Sequence, residues 1–405
     1  MRFKLAWRNI WRNKRRTLIT VSAIAFAVFF SSVMKSMQLG SYARMIDNVT
    51  RFYTGYIQIH TNGYWDDKTL DNSFENVPGL LEEVTDRKFV QVAAPRLESF
   101  TLASFGQQTK GALLLGVDPD LEHRLTSLEE KLVDGQYFSA NEKAVLVSEG
   151  LADYLRIGVN DTLVLISQGY HGINSAGKYV VSGLVKFPAP DLNNQLIYLP
   201  LKEAQWFYGA DNRLTSIAFA IDHADLTDRV IADISQNLNL EIYEIMGWRE
   251  MLPELLQQIE LDYVGGLIMR YILYAVIAFG ILGTFLMMVN ERRYEFGILM
   301  AIGMKRIKLQ AVVLLETIMI AFTGTFVGLL ISLPIIVWFY FNPIKLGGEY
   351  EAMMATYGLE AIMPFSMEPA VFTGEMTIVF VITICLAIYP LWAIYKLKIN
   401  TAIRQ

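Results

Sequence analysis

The sequence predicts an α-helical membrane protein with four transmembrane helices and a large mixed α/β extracytoplasmic domain inserted between the first and second helix. Three observations predict this fold class. Four long apolar runs concentrate the hydrophobic residues, which make up 53% of the 405-residue chain. A long polar insert shows alternating strand and helix patterns, and the charge balance changes sign between the segments that flank the apolar runs. Their order places one membrane anchor before the polar domain and three after it.

Each apolar run has the length that predicts a membrane-spanning helix, about 18 residues or more. At 1.5 Å per residue even the shortest extends about 27 Å, close to the roughly 30 Å of the hydrocarbon core. Buried helices of a large soluble core are the alternative, but four separate runs of this length are hard to enclose in one core. The runs are Thr17–Met34, Leu267–Asn290, Ala311–Tyr340 and Ala370–Tyr395.

The flanking charges predict the orientation of the helices. Residues 1–16 carry seven bases and no acid, segment 291–308 carries five bases and two acids, and the tail after Tyr395 carries three bases and no acid. Residues 40–265 carry 17 bases and 32 acids. Because short basic flanks stay in the cytoplasm, both termini and segment 291–308 are expected inside, with residues 40–265 outside.

The first apolar run is expected to remain as an uncleaved anchor. It is long, and no small-residue cleavage site followed by a polar break occurs before Lys35. The helical spacing of Met34, Met37 and Met45 predicts that this helix continues outward as a stalk. The single cysteine, Cys385, lies in the fourth run, so the outer domain contains no disulfide.

The polar insert has the pattern of a mixed α/β domain. Strand-like runs such as "GYIQIH" (55–60) and "GALLLGV" (111–117) are separated by short helical patterns. The stretch "KAVLVSEGLADYLRIGVNDTLVLIS" (143–167) predicts a strand, a short helix, a turn and a second strand. The stretch "GWREMLPELLQQIELDYVGG" (247–266) predicts a helix that leads directly into the second span. The domain is therefore tied to the membrane by helices at both ends.

Several motifs suggest catalysis or ligand binding but do not fit it. "GINSAGK" (172–178) matches the start of a phosphate-binding loop, yet Tyr179 replaces the Ser or Thr that would hold Mg²⁺ and a strand follows where a helix should begin. A hairpin loop is the simpler interpretation. The four histidines are scattered without metal-ligand spacing, and no nucleophile motif occurs. The acidic outer region also argues against nucleic acid as a partner.

Three ionisable residues are expected to border or enter the spans. Lys35 and Arg270 lie near the outer ends of the first and second spans, where their side chains can reach water. Glu316 lies near the inner start of the third run. A helix-packing or capping role and a transport role for Glu316 are both left open.

The segment "NERRYEFGILMAIGMKRIKL" (290–309) predicts a helix that is apolar on nearly all sides. At 100° per residue, Tyr294, Ile298, Ala301 and Ile302 form one side, and Phe296, Leu299, Met300 and Gly303 form the other. Lipid and neighbouring spans can cover one side, and a cytoplasmic protein is expected to cover the other. A helix lying flat on anionic lipid is the alternative.

This segment, "ERRYEFGILMAIGMKRIKLQAVVLLE", resembles the coupling segment of FtsX-like permeases, whose usual form is E-R-x-x-E-I-G-x-L-x-A-I-G. Phe296 stands where that form has isoleucine. The basic start "LAWRNIWRNKRRTLITV" and the closing "YPLWAIYKLKINTAIRQ" are similar to the same family, with Asn400 and Thr401 where Asp-Pro is frequent. "DGQYFSANEKAVLVSEGLADYLRIGVNDTLVLIS" resembles the periplasmic domain of MacB- and LolC/LolE-type permeases. The resemblance covers essentially the whole chain.

The resemblance implies the permease subunit of an ABC transporter in the bacterial inner membrane. Such a chain binds no cofactor itself, and a separate cytoplasmic ATPase of LolD or MacB type binds ATP and Mg²⁺. A second permease chain, identical or different, is implied beside it. The family works by mechanotransmission, in which closure of the ATPase moves the stalks and outer domains. The residues implied in ATPase coupling are Glu291, Arg292, Arg293, Glu295, Phe296, Gly297, Leu299, Ala301 and Gly303.

The expected boundaries follow from these patterns. They are 1–16 for a cytoplasmic basic helix, 17–39 for the first transmembrane helix and the start of the stalk, 40–265 for the extracytoplasmic domain, 266–290 for the second transmembrane helix, 291–307 for the coupling helix and turn, 308–340 for the third transmembrane helix, 341–369 for an extracytoplasmic loop, 370–395 for the fourth transmembrane helix and 396–405 for a cytoplasmic tail.

Three functions fit such a permease. The first is release of lipoproteins toward a periplasmic carrier, because the chain starts at the membrane helix without a fused ATPase and Met34, Met37 and Met45 are adaptable enough to line an acyl cavity. Ordinary packing explains these methionines equally well. The second is MacB-like export of small molecules, peptides or lipids. The third is FtsX-like signalling to a cell-wall hydrolase.

Overall fold

The computed structural model describes residues 2–12, 14–77, 79–187, 189–349, 351, 353 and 361–397. The expected tail beyond residue 397 and most of 350–360 in the expected outer loop lie outside the described residues. Two compact units make up the chain. The membrane unit comprises residues 1–42, 258–344 and 362–405, and the sheet unit comprises residues 43–257 and 345–361.

The helices differ widely in length, and the longest belong to the apolar runs. In chain order they are α1 (Arg2–Arg12), α2 (Lys14–Val49), α3 (Leu80–Thr85), α4 (Pro119–Thr126), α5 (Glu149–Leu155), α6 (Pro190–Asn193), α7 (Leu201–Tyr208), α8 (Thr227–Ile234), α9 (Trp248–Met251), α10 (Pro253–Glu291), α11 (Arg293–Ala301), α12 (Arg306–Phe341), α13 (Pro369–Leu386) and α14 (Ile388–Lys396).

The strands are mostly short, apart from β3, β4 and β8. They are β1 (Ile57–Thr61), β2 (Phe74–Glu75), β3 (Val90–Phe105), β4 (Gln108–Val117), β5 (Leu132–Gly135), β6 (Ala144–Ser148), β7 (Thr162–Gln168), β8 (Asn174–Val185), β9 (Leu196–Pro200), β10 (Arg213–Leu214), β11 (Ser216–Ile221), β12 (Tyr243–Gly247), β13 (Ile344–Lys345) and β14 (Ile362–Met363).

Four helical stretches among the described residues are long and apolar enough to cross a membrane. They contain the four runs expected from the sequence, and with the α/β domain between the first and second they confirm the predicted fold class. The fourth stretch bends at Ala387, between α13 and α14. Pro390 explains the bend, because it lacks an N–H and its ring opposes the carbonyl of Leu386 four residues earlier. The stretches are Lys14–Thr54, Pro253–Glu291, Arg306–Phe341 and Pro369–Lys396.

Glycines bring α2 and α12 into close contact in the membrane unit. A Cβ added to Gly324 would lie 2.7 Å from the Cβ of Ile24, and one added to Gly328 would lie 2.7 Å from the carbonyl oxygen of Ala25. The two glycines are four residues apart, so they lie on one face of α12 and let the backbones approach, as small residues do in membrane helix pairs. The first span is therefore fixed to the third.

The sheet unit is built on a ten-stranded mixed sheet. Its strand order is β12-β1-β11-β3-β4-β9-β6-β8-β5, and β7 pairs with both β3 and β8. Pairing is antiparallel except between β4 and β9 and between β6 and β8. Helix α7 lies against β4 at Gly116, where an added Cβ would overlap the Cβ of Ala204. Apolar side chains on both faces of the sheet are fully buried, with Leu97 and Leu114 on one face and Leu115 on the other.

The chain enters the sheet unit through a π-helical turn, Thr50–Thr54, that ends at Gly55 with φ +72°. The fully buried Arg96 of β3 donates from Nη1 to the carbonyl oxygen of Tyr53 in this turn, at 2.5 Å. Its Nε and Nη2 donate to the two carboxylate oxygens of Glu122, at 2.9 and 2.7 Å. A paired guanidinium thus anchors the last turn of the entering helix to the central strand.

Candidate functional site

The coupling segment begins with a bend at Arg292, the residue between α10 and α11. Arg292 Nη1 donates to Glu316 Oε2 at 2.5 Å, and Nη2 lies 3.4 Å from Oε1. Its guanidinium also lies over the ring of Phe296, 5.1 Å from the centroid. Arg292 and Glu316 are both buried, Glu316 to 2% exposure. Because a guanidinium and a carboxylate match in two-pronged geometry, this pair fixes the bend to α12.

Helix α1 joins the same polar cluster. Asn9 Nδ2 donates to Glu316 Oε1 at 2.5 Å, and Arg12 Nη2 donates to Glu295 Oε2 at 2.5 Å. Arg16, at the start of α2, forms an ion pair with Glu291. Each acid of this region therefore contacts a residue of the first 16, so the basic N-terminal helix lies beside the coupling helix. No local pattern in the sequence indicates these contacts, because they join residues about 300 positions apart.

The two predicted sides of the coupling helix differ in coverage. Phe296 is 1% exposed and Met300 is buried, because this side lies against the chain's own helices. On the opposite side Tyr294 is 51% exposed, Ile298 is exposed, and Ile302 is 79% exposed. Within the described residues, one side is thus covered by the chain itself and the other leaves an apolar surface exposed.

The nine candidate coupling residues separate into two groups. Glu291, Ala301 and Gly303 are exposed, and Arg293, Glu295 and Leu299 are half-buried. Arg292, Phe296 and Gly297 are buried within this chain, so they orient the helix and do not present a surface. The exposed Tyr294, Ile298 and Ile302 lie outside the nine, although the helical spacing had placed them on the same side as Ala301.

Gly303 makes the turn that connects α11 to α12. Its φ is +103°, a conformation that side-chain-bearing residues avoid, and nothing lies within 4 Å of an added Cβ. The glycine is therefore required by backbone conformation, since there is space for a side chain. The sequence predicts Gly303 on the covered side, but it is exposed because the helix ends at Ala301.

A cleft of about 290 Å³ opens between α1 and the coupling helix. Ile298, Leu299 and Met304 form part of its apolar lining, and Arg12 and Glu295 stand at its polar side.

The candidate acyl-cavity methionines, Met34, Met37 and Met45, all lie on α2, and all three are half-buried. Among the described residues, no cluster of three or more His, Cys, Asp or Glu side chains is placed to hold a metal ion. The "GINSAGK" segment runs into strand β8, so no helix N-terminus follows it.

Sequence reasoning missed a second buried carboxylate, Glu375 of α13. It is 2% exposed and its Oε1 lies 3.5 Å from Lys35 Nζ of α2, while the hydroxyl of Tyr274 of α10 donates to Oε2. From the sequence we expected three ionisable residues in or near the spans, and this was wrong because it omitted Glu375. One feature of the sequence could have revealed this site, because Glu375 is the only acid in the run Ala370–Tyr395.

Comparison with known proteins gives two family matches that together cover most of the chain. Residues 17–237 match the MacB-like periplasmic core domain, and residues 267–399 match the FtsX-like permease C-terminal region.

Similar proteins include LolC of Neisseria meningitidis serogroup B, a lipoprotein-releasing system transmembrane protein. It is 21% identical over 77% of this chain and 75% of its own length. LolC of Xylella fastidiosa is 23% identical over 59% of each chain. The macrolide export ATP-binding/permease protein MacB of Agrobacterium fabrum is 20% identical over 82% of this chain, which spans about half (52%) of the MacB length.

Among solved structures, the periplasmic region of MacB from Actinobacillus actinomycetemcomitans is 15% identical, with a TM-score of 0.37 over 53% of this chain and 97% of its own. The extracellular domain of YknZ from Gram-positive bacteria is 14% identical, with a TM-score of 0.35 over 47% and 99%. The assignment rests on the family matches, the first of which alone covers more than half of the chain. This chain belongs to the FtsX-like permeases with a MacB-like periplasmic core domain, and it is an ABC transporter permease subunit of the LolC or MacB type.

Proposed function

We propose that this permease releases lipid-anchored proteins from the bacterial inner membrane and passes them to a periplasmic carrier. A separate cytoplasmic ATPase, which binds ATP and Mg²⁺, drives it, and a second permease chain completes the complex. The coupling helix and both termini face the cytoplasm in this proposal, and the sheet unit is periplasmic.

The observation that carries the ATPase part is the uncovered apolar side of the coupling helix. Tyr294, Ile298 and Ile302 are exposed there, and the exposed bases Lys305, Arg306 and Lys308 follow them in the sequence. An apolar centre with a charged rim is the usual anatomy of a protein interface. The buried Arg292–Glu316 pair fixes the orientation of this surface relative to α12. Force that a partner applies to the surface is therefore transmitted to α12 and does not bend the coupling helix.

The choice of lipoprotein cargo is supported by the LolC relatives. The Neisseria LolC alignment covers three quarters of both chains. Met34 and Met37 of the first span remain the candidates for contact with acyl chains, since flexible thioether side chains adapt to such ligands.

Export of small molecules, peptides or lipids is the second candidate, because MacB relatives align over 82% of this chain. Reconstitution separates the two functions. The complete complex in proteoliposomes, loaded with a fluorescent lipoprotein and supplied with ATP and a periplasmic carrier, is expected to transfer the lipoprotein to the soluble fraction. ATP hydrolysis without release, together with ATP-dependent movement of a small molecule, would instead establish the MacB-like function.

A further inference from the structure

Side chains of three membrane helices meet at the carboxylate of Glu375. It lies in the second turn of α13, and its two oxygens contact Lys35 of α2 and the hydroxyl of Tyr274 of α10. A carboxylate enclosed among membrane helices is costly, and such residues are usually retained for a function. Neither the family matches nor the coupling segment accounts for this one.

The surrounding backbone is shaped to admit the lysine. A Cβ added to Gly374 would lie 3.2 Å from Lys35 Nζ, so the lysine side chain crosses α13 at a glycine. Lys35 Nζ also donates to the carbonyl oxygen of Ala370 at 3.4 Å. The ammonium is thus held at the start of α13 by a carboxylate and a carbonyl together.

The same face of α2 continues in direct contact with the segment before α13. Ser36 Oγ donates to the carbonyl oxygen of Ser366 at 2.7 Å, and the Ser366 amide donates to the carbonyl oxygen of Ser36 at 2.9 Å. One turn further, a Cβ added to Gly40 would lie 2.5 Å from the carbonyl oxygen of Pro364. Small residues at these positions let α2 and this segment meet without intervening side chains.

The Lys35–Glu375 contact is less constrained than the Arg292–Glu316 contact. Lys35 makes one ion pair at 3.5 Å through a flexible stem, and its side chain is still 23% exposed, so it can follow α2 toward water. Glu375 cannot reach water in the same way, because its side chain is enclosed on α13. Separation of α2 from α13 therefore leaves a buried carboxylate without its cation, which biases the chain toward the arrangement in which the two helices touch.

We propose that Glu375 is a positioning residue, a latch that holds α2 and α10 against the start of α13 and opens when the partner ATPase binds ATP. The proposal rests on the identity of the chain as an ABC permease and is independent of the cargo. It assigns to the chain a gate-like contact at the end of the membrane helices opposite to the coupling segment.

Disulfide cross-linking measures the latch directly. Cys385 is replaced by serine, and Ser36→Cys and Ser366→Cys are introduced into the complete complex in lipid nanodiscs. Without nucleotide the two cysteines are expected to cross-link rapidly. When ATP and vanadate trap the ATPase, cross-linking is expected to be about tenfold slower, because losing a buried ion pair shifts the equilibrium between the closed and the open latch by an order of magnitude or more. Glu375→Gln is expected to slow the nucleotide-free rate about as much.

Two further variants keep the result interpretable. Lys35→Glu combined with Glu375→Lys restores the pair in reverse and is expected to recover the fast rate, and Glu368→Gln, an exposed acid seven residues earlier, is expected to leave it unchanged. A nucleotide-free rate in Glu375→Gln equal to that of the parent would overturn the proposal. So would a parent rate that trapped nucleotide does not change. Neither readout uses lipoprotein, so failure of the cargo assignment leaves the latch result standing.

Discussion

The membrane unit buries two carboxylates, Glu316 and Glu375, and the two are held differently. Glu316 accepts hydrogen bonds from Arg292 and from Asn9 of the N-terminal helix. Glu375 contacts one flexible ammonium and one hydroxyl. The two-pronged ion pair lies at the coupling segment, and the less constrained site lies near the start of α13. In the account proposed above, the first end of the helix bundle transmits force and the second yields to it.

Removing the charge of Glu316 is expected to give the largest effect. Glu316→Gln leaves the Arg292 guanidinium buried without its partner, which costs about 3–5 kcal/mol, whereas Arg292→Met with Glu316→Met removes both charges and recovers most of the loss. Thermal unfolding of the purified chain in detergent measures both. Glu375→Gln is expected to lower the melting temperature less than Glu316→Gln, and the reverse order would contradict the difference between the two sites.

Close packing between α2 and α12 predicts the next effect. Gly324→Val forces a side chain against Ile24 and is expected to destabilise the membrane unit by about 1–3 kcal/mol. Gly283→Val is the matched control, because nothing lies within 4 Å of a Cβ added there. Equal melting temperatures of the two variants would show that the first span is not fixed to the third, and the bundle would then lack its rigid end.

His60 in the sheet unit is a buried titratable group without a strong ion pair. Burial lowers its pKa from 6.5 to about 4, with a smaller contribution from the Lys68 ammonium, although Glu244 Oε1 lies 3.5 Å from its Nδ1. Protonation of His60 therefore favours the unfolded chain. The contribution of His60 to the free energy of unfolding is constant above about pH 6.5 and falls as the pH drops toward 4, by about 1 kcal/mol at pH 5.5.

His60→Phe keeps an aromatic ring beside Tyr64 and Trp65 and removes this titration. The melting temperature of the variant is expected to fall less than that of the parent between pH 6.5 and 5, with the carboxylate contributions common to both. Parallel pH profiles would place the titration elsewhere.

Glu295→Lys is expected to have the smallest effect on stability. Its effect on the coupling between ATP hydrolysis and work at the sheet unit is expected to be larger. Glu295 is half-buried and pairs with Arg12 and Arg292, so Glu295→Lys places a third cation between them at a cost of about 1 kcal/mol. ATP hydrolysis by the complex is expected to continue while work at the sheet unit is lost. Gly303→Val, which strains the turn, is expected to give the same separation. Normal ATPase recovery and full transport in both variants would refute the assignment of this segment.

The spans and the α/β domain were predictable because apolar length and strand patterning are local properties of the sequence. The two-sided coupling helix was predictable for the same reason, from the positions of Phe296 and Ile302 at helical spacing. The contacts of Asn9 and Arg12 were not, since they join α1 to residues about 300 positions away. Glu375 was missed because one acid changes the hydropathy of a long apolar run very little.

The most direct test of the coupling surface is the recovery of the ATPase with the permease from native membranes. Ile302→Glu puts a charge at the most exposed residue of the uncovered apolar side, and Val133→Glu puts one at an exposed apolar position of the sheet unit as a control. We predict that Ile302→Glu lowers ATPase recovery by at least about tenfold, as loss of an important interface contact does, and that Val133→Glu changes nothing. Undiminished recovery in Ile302→Glu would contradict the claim that this surface seats in a separate ATPase.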